Sequence, residues 1–333
     1  ATDSLVLEDS DSDSDDGDAT PQRLCIKIHV DLHYQGLRAD HFLCKKIKRL
    51  SRSKARHILS SGDLLRDRQP LKPSSRVHGG ETLSLWRVPP PEPPAPEHFA
   101  TLYRDAKLWV IDKPAGLAVH PSARYFRSTL TQLLRRQQEA RGEHGRIPSL
   151  CHRLDRETSG VLILATDLDT ERRIKQGFAH SLIKKTYWAL VQGVPSQARF
   201  SVDAPLLAGQ GEIRIKMSAH RDGLPALTHF ERLAVLGQRS LIACYPQTGR
   251  THQIRAHLAI AGYPIVGDKM YGDDGEQWFL RQQAGEDEAS LNAELDWPRH
   301  CLHARSLHIL PEVGVSPTDF VAPWPDDLPP LPF

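Results

Sequence analysis

The stretch Cys151-His152-Arg153-Leu154-Asp155-Arg156-Glu157-Thr158-Ser159-Gly160-Val161-Leu162-Ile163-Leu164-Ala165 decides how this chain of 333 residues is read. Its second half, 161–165, is an uninterrupted apolar run containing Val161 and Ile163, which predicts a strand buried on both faces. Its first half sets one carboxylate, Asp155, between two guanidiniums, Arg153 and Arg156, and ends in two hydroxyls and a glycine. By itself such a segment reads as a solvated turn with local ion pairs of little energetic weight. Placed directly before a buried strand, its polar groups need partners. Reaction sites are commonly carried on loops of this kind, held by a rigid scaffold.

Outward from that strand, Leu102-Tyr103 and Leu108-Trp109-Val110-Ile111 predict a hairpin across Arg104-Asp105. Residues 129–138 form an amphipathic helix with Leu130, Leu133 and Leu134 inward. A second helix is expected over 167–178, capped by Asp167 or Asp169, and strands over 186–191 and 241–245. A third helix is expected over 250–261, stopped by Gly262 before Pro264. Residues 274–296 are acidic and irregularly patterned, and read as an insertion without assigned function.

Composition excludes several classes. No apolar run reaches the length of a membrane-spanning helix. The N-terminal stretch is acidic and lacks an apolar core, so a secretory signal is not expected and a cytoplasmic address is. The five cysteines (Cys25, Cys44, Cys151, Cys244, Cys301) are scattered singly, against both a zinc site and a disulfide framework. Cys151 reads as a small buried hydrophobe. There is no P-loop, no dinucleotide glycine fingerprint and no metal-ligand spacing, so neither metal nor organic cofactor is expected.

The net charge of +2 conceals an asymmetry. Residues 1–22 carry eight acids and no Lys or Arg, and the Ser-Asp alternation cannot bury a core; this tail is expected to be disordered. Residues 36–87 carry thirteen basic and four acidic residues. A positive excess focused in so short a window points to a polyanionic partner. Seven of those bases lie between Lys45 and Arg56: Lys45, Lys46, Lys48, Arg49, Arg52, Lys54 and Arg56. The window itself predicts helices over 39–48 and from Ser51 or Ser53 to Gly62, with strands at Leu64-Leu65 and Thr82-Leu83-Ser84-Leu85-Trp86. Six prolines in 89–96 make a stiff spacer. The expected organisation is a tail (1–22), a small basic α/β domain (23–88), a linker (89–98) and a larger domain (99–333).

The chain resembles the RluA-type pseudouridine synthases, a family that isomerises uridine in RNA. The motifs that carry the resemblance, in family order, span residues 99 to 311. They are Asp112-Lys113-Pro114-Ala115-Gly116-Leu117-Ala118-Val119-His120-Pro121, the opening stretch from His152 to Gly160, Lys185-Thr186-Tyr187, Thr248-Gly249-Arg250-Thr251-His252-Gln253-Ile254-Arg255-Ala256-His257-Leu258 with Gly267-Asp268 and Tyr271-Gly272, and His303-Ala304. Asp112 stands where the family usually has Asn. The basic window is similar to the S4 RNA-binding module through Arg38-Ala39-Asp40-His41-Phe42-Leu43, Leu50-Ser51-Arg52-Ser53 and Val77-His78-Gly79-Gly80-Glu81. There, Leu64-Leu65-Arg66-Asp67-Arg68-Gln69 replaces the usual V-x-V-N-G turn.

The resemblance implies an α+β fold: a catalytic domain with a mixed, largely antiparallel central sheet flanked by helices, plus a small S4-like α/β domain. It implies Asp155 as the essential carboxylate at the ribose C1′, acting as nucleophile or as base. Arg255 would pair with it, Arg250 being the second choice, and Tyr187 would stack on the uracil and serve removal of the C5 proton. A uridine in structured RNA must be flipped out, and Arg153 would fill the gap. His152 would support the loop or contact RNA, Lys113 would shape the neighbouring loop or touch phosphate, and Arg250, Arg52, Lys54 and Arg56 are further candidate RNA contacts. The expected partner is RNA, large-subunit ribosomal RNA first and transfer RNA as an alternative. A non-catalytic RNA-binding or ribosome-assembly protein and a hydrolase using Asp155 are competing readings. Oligomeric state is not legible.

Overall fold

The computed structural model describes residues 6–8, 23–47, 50–88, 92–121, 125–142, 145–273 and 275–331. The Ser-Asp run of the tail, Lys48, Arg49 and Pro89 to Pro91 lie outside the described residues. The chain divides into two compact units, Ala1–Glu92 and Pro93–Phe333. Among the described residues no helix is long and apolar enough to cross a membrane.

The first unit comprises β1 (Val6–Glu8), β2 (Leu24–His29), α1 (Ala39–Lys46), α2 (Arg52–Ser60), β3 (Leu64–Arg66), β4 (Gln69–Pro70) and β5 (Thr82–Arg87). The strands form one sheet in the order β1-β2-β5-β3-β4. One part of the expected disordered tail is therefore corrected: Val6–Glu8 pairs antiparallel with Cys25, Ile26 and Lys27. Its Leu-Val-Leu triplet has the apolar, β-branched character that the flanking Asp-Ser repeat lacks. Ser51 caps α2, its side chain accepting from the Lys54 N–H at 3.3 Å. Phe42 and Leu43 of α1, Ala55 and Leu59 of α2, and Leu83 and Leu85 of β5 share one core.

The β3–β4 hairpin turns through Asp67 and Arg68, both at positive φ (47° and 66°). Two-residue hairpin turns need that geometry, and a glycine normally supplies it at lower cost. Arg68→Gly should therefore stabilise this unit by up to about 1 kcal/mol, seen as a higher denaturant midpoint at unchanged slope.

The second unit comprises β6 (Ala100–Arg104), β7 (Leu108–Lys113), α3 (Leu130–Ala140), β8 (Ser149–Leu150), β9 (Ser159–Ala165), α4 (Leu168–Ala179), β10 (Ile183–Gln192), β11 (Arg199–Asp203), β12 (Leu206–Ala208), β13 (Met217–Ala219), β14 (Leu227–Leu236), β15 (Arg239–Pro246), α5 (Gln253–Ile260), α6 (Gly275–Gln283), α7 (Glu288–Ala293), β16 (Leu302–Ile309) and β17 (Asp319–Val321). Ten strands form one sheet whose main path is β11-β14-β15-β10-β16-β9-β7-β6. β8 pairs with β9 and β17 with β16, while β12 and β13 form a separate hairpin. The architecture is α+β, as the resemblance implies.

The apolar run of β9 is buried along its whole length. Val161 and Ile163, with Leu108 and Val110 of β7, pack with Ile174 of α4. The alternate residues Leu162 and Leu164, with Trp109 and Ile111, pack with Leu130, Leu133 and Leu134 of α3. Both faces of this strand pair are covered by helix, which explains why its sequence does not alternate. Each fully buried aliphatic side chain there contributes roughly 1.5–3 kcal/mol.

All strand pairs along the main path are antiparallel except one. β9 runs parallel to β16 through His303↔Ser159 and Ala304↔Gly160, and this pairing joins the two halves of the sheet. Gly160 sits there at φ 114°, and a Cβ on it would lie 2.2 Å from the Ala304 carbonyl oxygen. No side chain fits without parting the strands. Gly160→Ala should cost about 2–3 kcal/mol and lower the melting temperature of the second unit.

In the segment read as an insertion, α6 and α7 form and bury Trp278 and Leu291. Too few apolar positions mark these short helices for their period to be read from sequence. The helix expected from residue 250 begins at Gln253, because His252 adopts a left-handed conformation (φ 54°).

Candidate active site

The charged loop 151–158 connects β8 to β9, which pair with each other through Leu150↔Leu164. Its base is closed by main-chain and side-chain bonds to β9. The Cys151 N–H donates to the Ile163 carbonyl (3.1 Å), and the Ile163 N–H donates to His152 Nε2 (3.0 Å). The His152 ring thus takes over as acceptor where the backbone leaves the ladder, and it packs against Phe178. Burial, with the charge of Lys185 adding, pushes its pKa down to about 3, as suits a neutral acceptor. His152 thus braces the loop, and it also lines the cavity described below.

For Lys113 the structure supports shaping of the loop and corrects the expected phosphate contact. Its side chain is fully buried, and Nζ donates to the carbonyls of Pro114 (2.7 Å), Leu117 (2.9 Å) and Arg156 (3.0 Å). An ammonium has three protons, so none remains for a phosphate. The far end of the loop is held by Arg299, which donates to the Glu157 carbonyl (3.1 Å), by Lys269 Nζ on Glu157 Oε1 (2.8 Å), and by Thr158 Oγ1 against His300 Nε2 (2.8 Å).

So anchored, the loop turns Asp155 into a cavity of about 490 Å³, whose lining also includes Arg153, Tyr187, Lys185, Arg250, His252 and Arg255. The cation on Asp155 is Arg255 Nη1, at 3.0 Å from Oδ2, and not either sequence neighbour. Arg156 instead donates to Tyr125 Oη and Glu157 Oε1 (2.7 and 2.9 Å). Arg153 is exposed at the cavity wall. Arg250 lies in the turn before α5, with Nε donating to the Pro225 carbonyl (3.0 Å), and does not pair with Asp155. That turn folds over Gln253, whose Oε1 accepts from the Arg250 N–H and the Thr248 hydroxyl (3.0 and 2.6 Å).

Behind Arg255 stands a carboxylate that the sequence reading did not single out. Asp268 accepts from Arg255 Nε (2.7 Å) and Nη2 (2.9 Å), and from the N–H groups of Met270 and Tyr271 (3.0 and 2.9 Å). Two carboxylates therefore share one guanidinium. Asp268 has no exposed side-chain surface, whereas Asp155 keeps 21% of its own, so only Asp155 can meet a substrate.

The electrostatics follow. Burial alone would raise the Asp155 pKa, but the positive charges of His252, Arg255 and His300 and the Arg255 hydrogen bond outweigh it, leaving it at about 2. His252 has a pKa lowered by burial, so near neutral pH the standing cation is Arg255. Tyr187, on β10 opposite Cys244 and Ala304, is raised above the ordinary phenol value by burial and then by the Asp155 charge. It enters any reaction as a protonated phenol. Lys185 donates to the Thr248 carbonyl at 3.1 Å, and burial lowers its pKa to about 8. Lys185, His252 and Asp268 all lie inside quoted motifs; their positions were legible and their roles were not.

In the first unit, Asp40 is fully buried and gathers three arginines. Arg38 donates from Nε and Nη2 (3.0 and 3.1 Å), Arg56 Nε lies at 3.4 Å and Arg52 Nε at 3.8 Å. The Arg38 hydrogen bond does most to hold Asp40 down at about 2. Arg52, Lys54 and Arg56 are exposed on α2.

Residues 107–260 match the family model described as RNA pseudouridylate synthase. The chain is 34% identical over 297 residues to "Ribosomal large subunit pseudouridine synthase D" of Xanthomonas campestris, covering 88% of this chain and 87% of that protein. It is 34% identical over 296 residues to "Uncharacterized RNA pseudouridine synthase" of Chloroflexus aurantiacus, covering 87% of each. Among solved structures, "Human RNA Pseudouridylate Synthase Domain Containing 4" superposes with a TM-score of 0.54 at 29% identity, covering 68% of this chain and 89% of that one.

Proposed function

Since the chain belongs to the RluA-type family of RNA pseudouridine synthases, we propose that it isomerises specific uridines of large-subunit ribosomal RNA, in the cytoplasm. The enzyme is an isomerase acting on RNA. The observation that carries the site assignment is one ionised carboxylate, Asp155, presented to an open cavity with a buried arginine behind it.

The reaction breaks the N1–C1′ bond, turns the uracil, joins C5 to C1′, and returns the displaced C5 proton to solvent while N1 gains one. Asp155 works at the ribose, as nucleophile at C1′ or as base. Its low pKa keeps it ionised throughout the neutral range. Tyr187 gives the detached uracil a flat face. As a protonated phenol it can pass on the C5 proton only as a relay that releases its own. Arg153, exposed at the cavity wall, fills the stack vacated by the flipped base, and Arg250 offers its guanidinium to a phosphate.

The first unit serves as an S4-like RNA-binding module. Asp40 fixes the Arg38, Arg52 and Arg56 stems as one basic platform, which lowers the entropy lost when phosphates bind. Replacing Arg52, Lys54 and Arg56 by glutamine should reduce the slope of log affinity against log salt by about 2, at roughly 0.7 per lost contact on single strands.

Pseudouridine mapping of ribosomal and transfer RNA from a strain lacking this chain tests the substrate. One or a few sites should vanish from large-subunit ribosomal RNA. Loss confined to transfer RNA would overturn the ribosomal assignment.

A further inference from the structure

His252 stands in the cavity in a backbone conformation that costs a non-glycine residue about 1–2 kcal/mol. Strain of this kind persists where surrounding contacts impose it, often at functional sites. The residue is the N-cap of α5, yet its side chain makes no capping bond. The ring is committed elsewhere. Nδ1 lies 3.1 Å from the Tyr271 hydroxyl, and that oxygen already accepts the Met217 N–H at 2.7 Å. The phenol proton needs an acceptor, and Nδ1 supplies one. The imidazole proton then sits on Nε2. Nε2 is 3.9 Å from Asp155 Oδ2, the oxygen that Arg255 already holds at 3.0 Å. That separation is too long for a hydrogen bond, so the Nε2–H remains a donor beside the reacting carboxylate.

From this geometry we infer that His252 contacts the substrate, its Nε2–H donating to the ribose 2′-oxygen of the target nucleotide. The inference rests on Asp155 acting at the ribose. The 2′-oxygen is carried by the carbon next to C1′, so a donor beside the carboxylate that addresses C1′ spans it. The uracil carbonyls belong to the base, which Tyr187 carries. The contact also gives the pocket a means of telling RNA from DNA, since only the former has this hydroxyl. Burial keeps the imidazole neutral, so it orients the sugar as a donor and does not act as an acid.

The test is a four-way cycle with the full chain and C5-tritiated RNA carrying uridine or 2′-deoxyuridine at the target. His252→Asn is the variant, because asparagine tolerates the left-handed backbone and is too short to reach. Removing the side chain or the hydroxyl alone should each slow single-turnover tritium release by roughly tenfold, in line with one hydrogen bond. Removing both should slow it no further. Losses that multiply to about a hundredfold, or an unchanged rate for His252→Asn on uridine RNA, overturn the inference. Tyr271→Phe frees the tautomer without touching the strained backbone, and should show the same coupling at smaller size. Where 2′-deoxyuridine is not turned over, the four affinities replace the four rates with the same expected pattern. A wild-type protein that binds uridine RNA without releasing tritium would instead sink the reading of Asp155 on which the inference rests.

Discussion

The Asp155→Asn protein should bind RNA within about threefold of wild type and convert no uridine, a rate loss of at least ~10⁴-fold. The substitution is isosteric, and the amide oxygen can still accept from Arg255 Nη1, so the loop keeps its shape. What disappears is the charge, which either role at the ribose requires. The fold has no reason to fail, because Arg255 retains its paired bonds to Asp268 and loop 151–158 is anchored through Lys113, Arg299 and Lys269. Affinity and single-turnover rate, measured on the same preparation, separate loss of charge from loss of structure. An equal fall in both would mean that Asp155 holds the loop and does not drive the chemistry.

Asp268→Asn should be the next most damaging change, although Asp268 cannot reach a substrate. Its carboxylate fixes the guanidinium through Nε and Nη2, and only then does Nη1 point at Asp155. Without the charge, Arg255 is left in a buried position with half its compensation. Breaking a buried pair in this way costs about 3–5 kcal/mol of stability, and a misplacement of the reacting group by an ångström costs roughly 100-fold in rate. A pH profile distinguishes positioning from mere structure. In the wild type, burial is outweighed at both carboxylates and their pKa values are depressed. The stability Asp155 contributes is present above about pH 4 and is lost as pH falls through about 2, and that of Asp268 is lost at lower pH still. Loosening Arg255 weakens one of the positive charges that oppose burial at Asp155, the others being His252 and His300, so its pKa rises. The acid limb of activity should move to higher pH in Asp268→Asn. An acid limb unmoved in a folded variant would contradict the positioning role.

How much of this was legible in the sequence varied with the kind of signal. The buried strand Ser159–Ala165 was legible because its apolar run is long and unbroken. The partnership of Asp155 with Arg255 came from resemblance: the residues lie 100 apart in the chain and meet only through the fold. Local reading instead offered Arg153 and Arg156; Arg153 is exposed at the cavity wall, and Arg156 bonds to Tyr125 and Glu157. Lys113 and His152 could be read either as loop supports or as RNA contacts, because a sequence shows residue type and not burial. Their true task is to satisfy main-chain groups where the ladder is interrupted. The start of α5 was misplaced for a related reason, since helical periodicity cannot reveal that His252 breaks the backbone to serve the cavity.

The most direct test of the account is a single-turnover reaction of the purified full chain with large-subunit ribosomal RNA tritiated at uridine C5. Tritium released to solvent should match pseudouridine formed, one for one, and both should vanish in Asp155→Asn. Release that survives in Asp155→Asn, or tight binding by the wild type with no release, would contradict the assignment of this cavity as the site of uridine isomerisation.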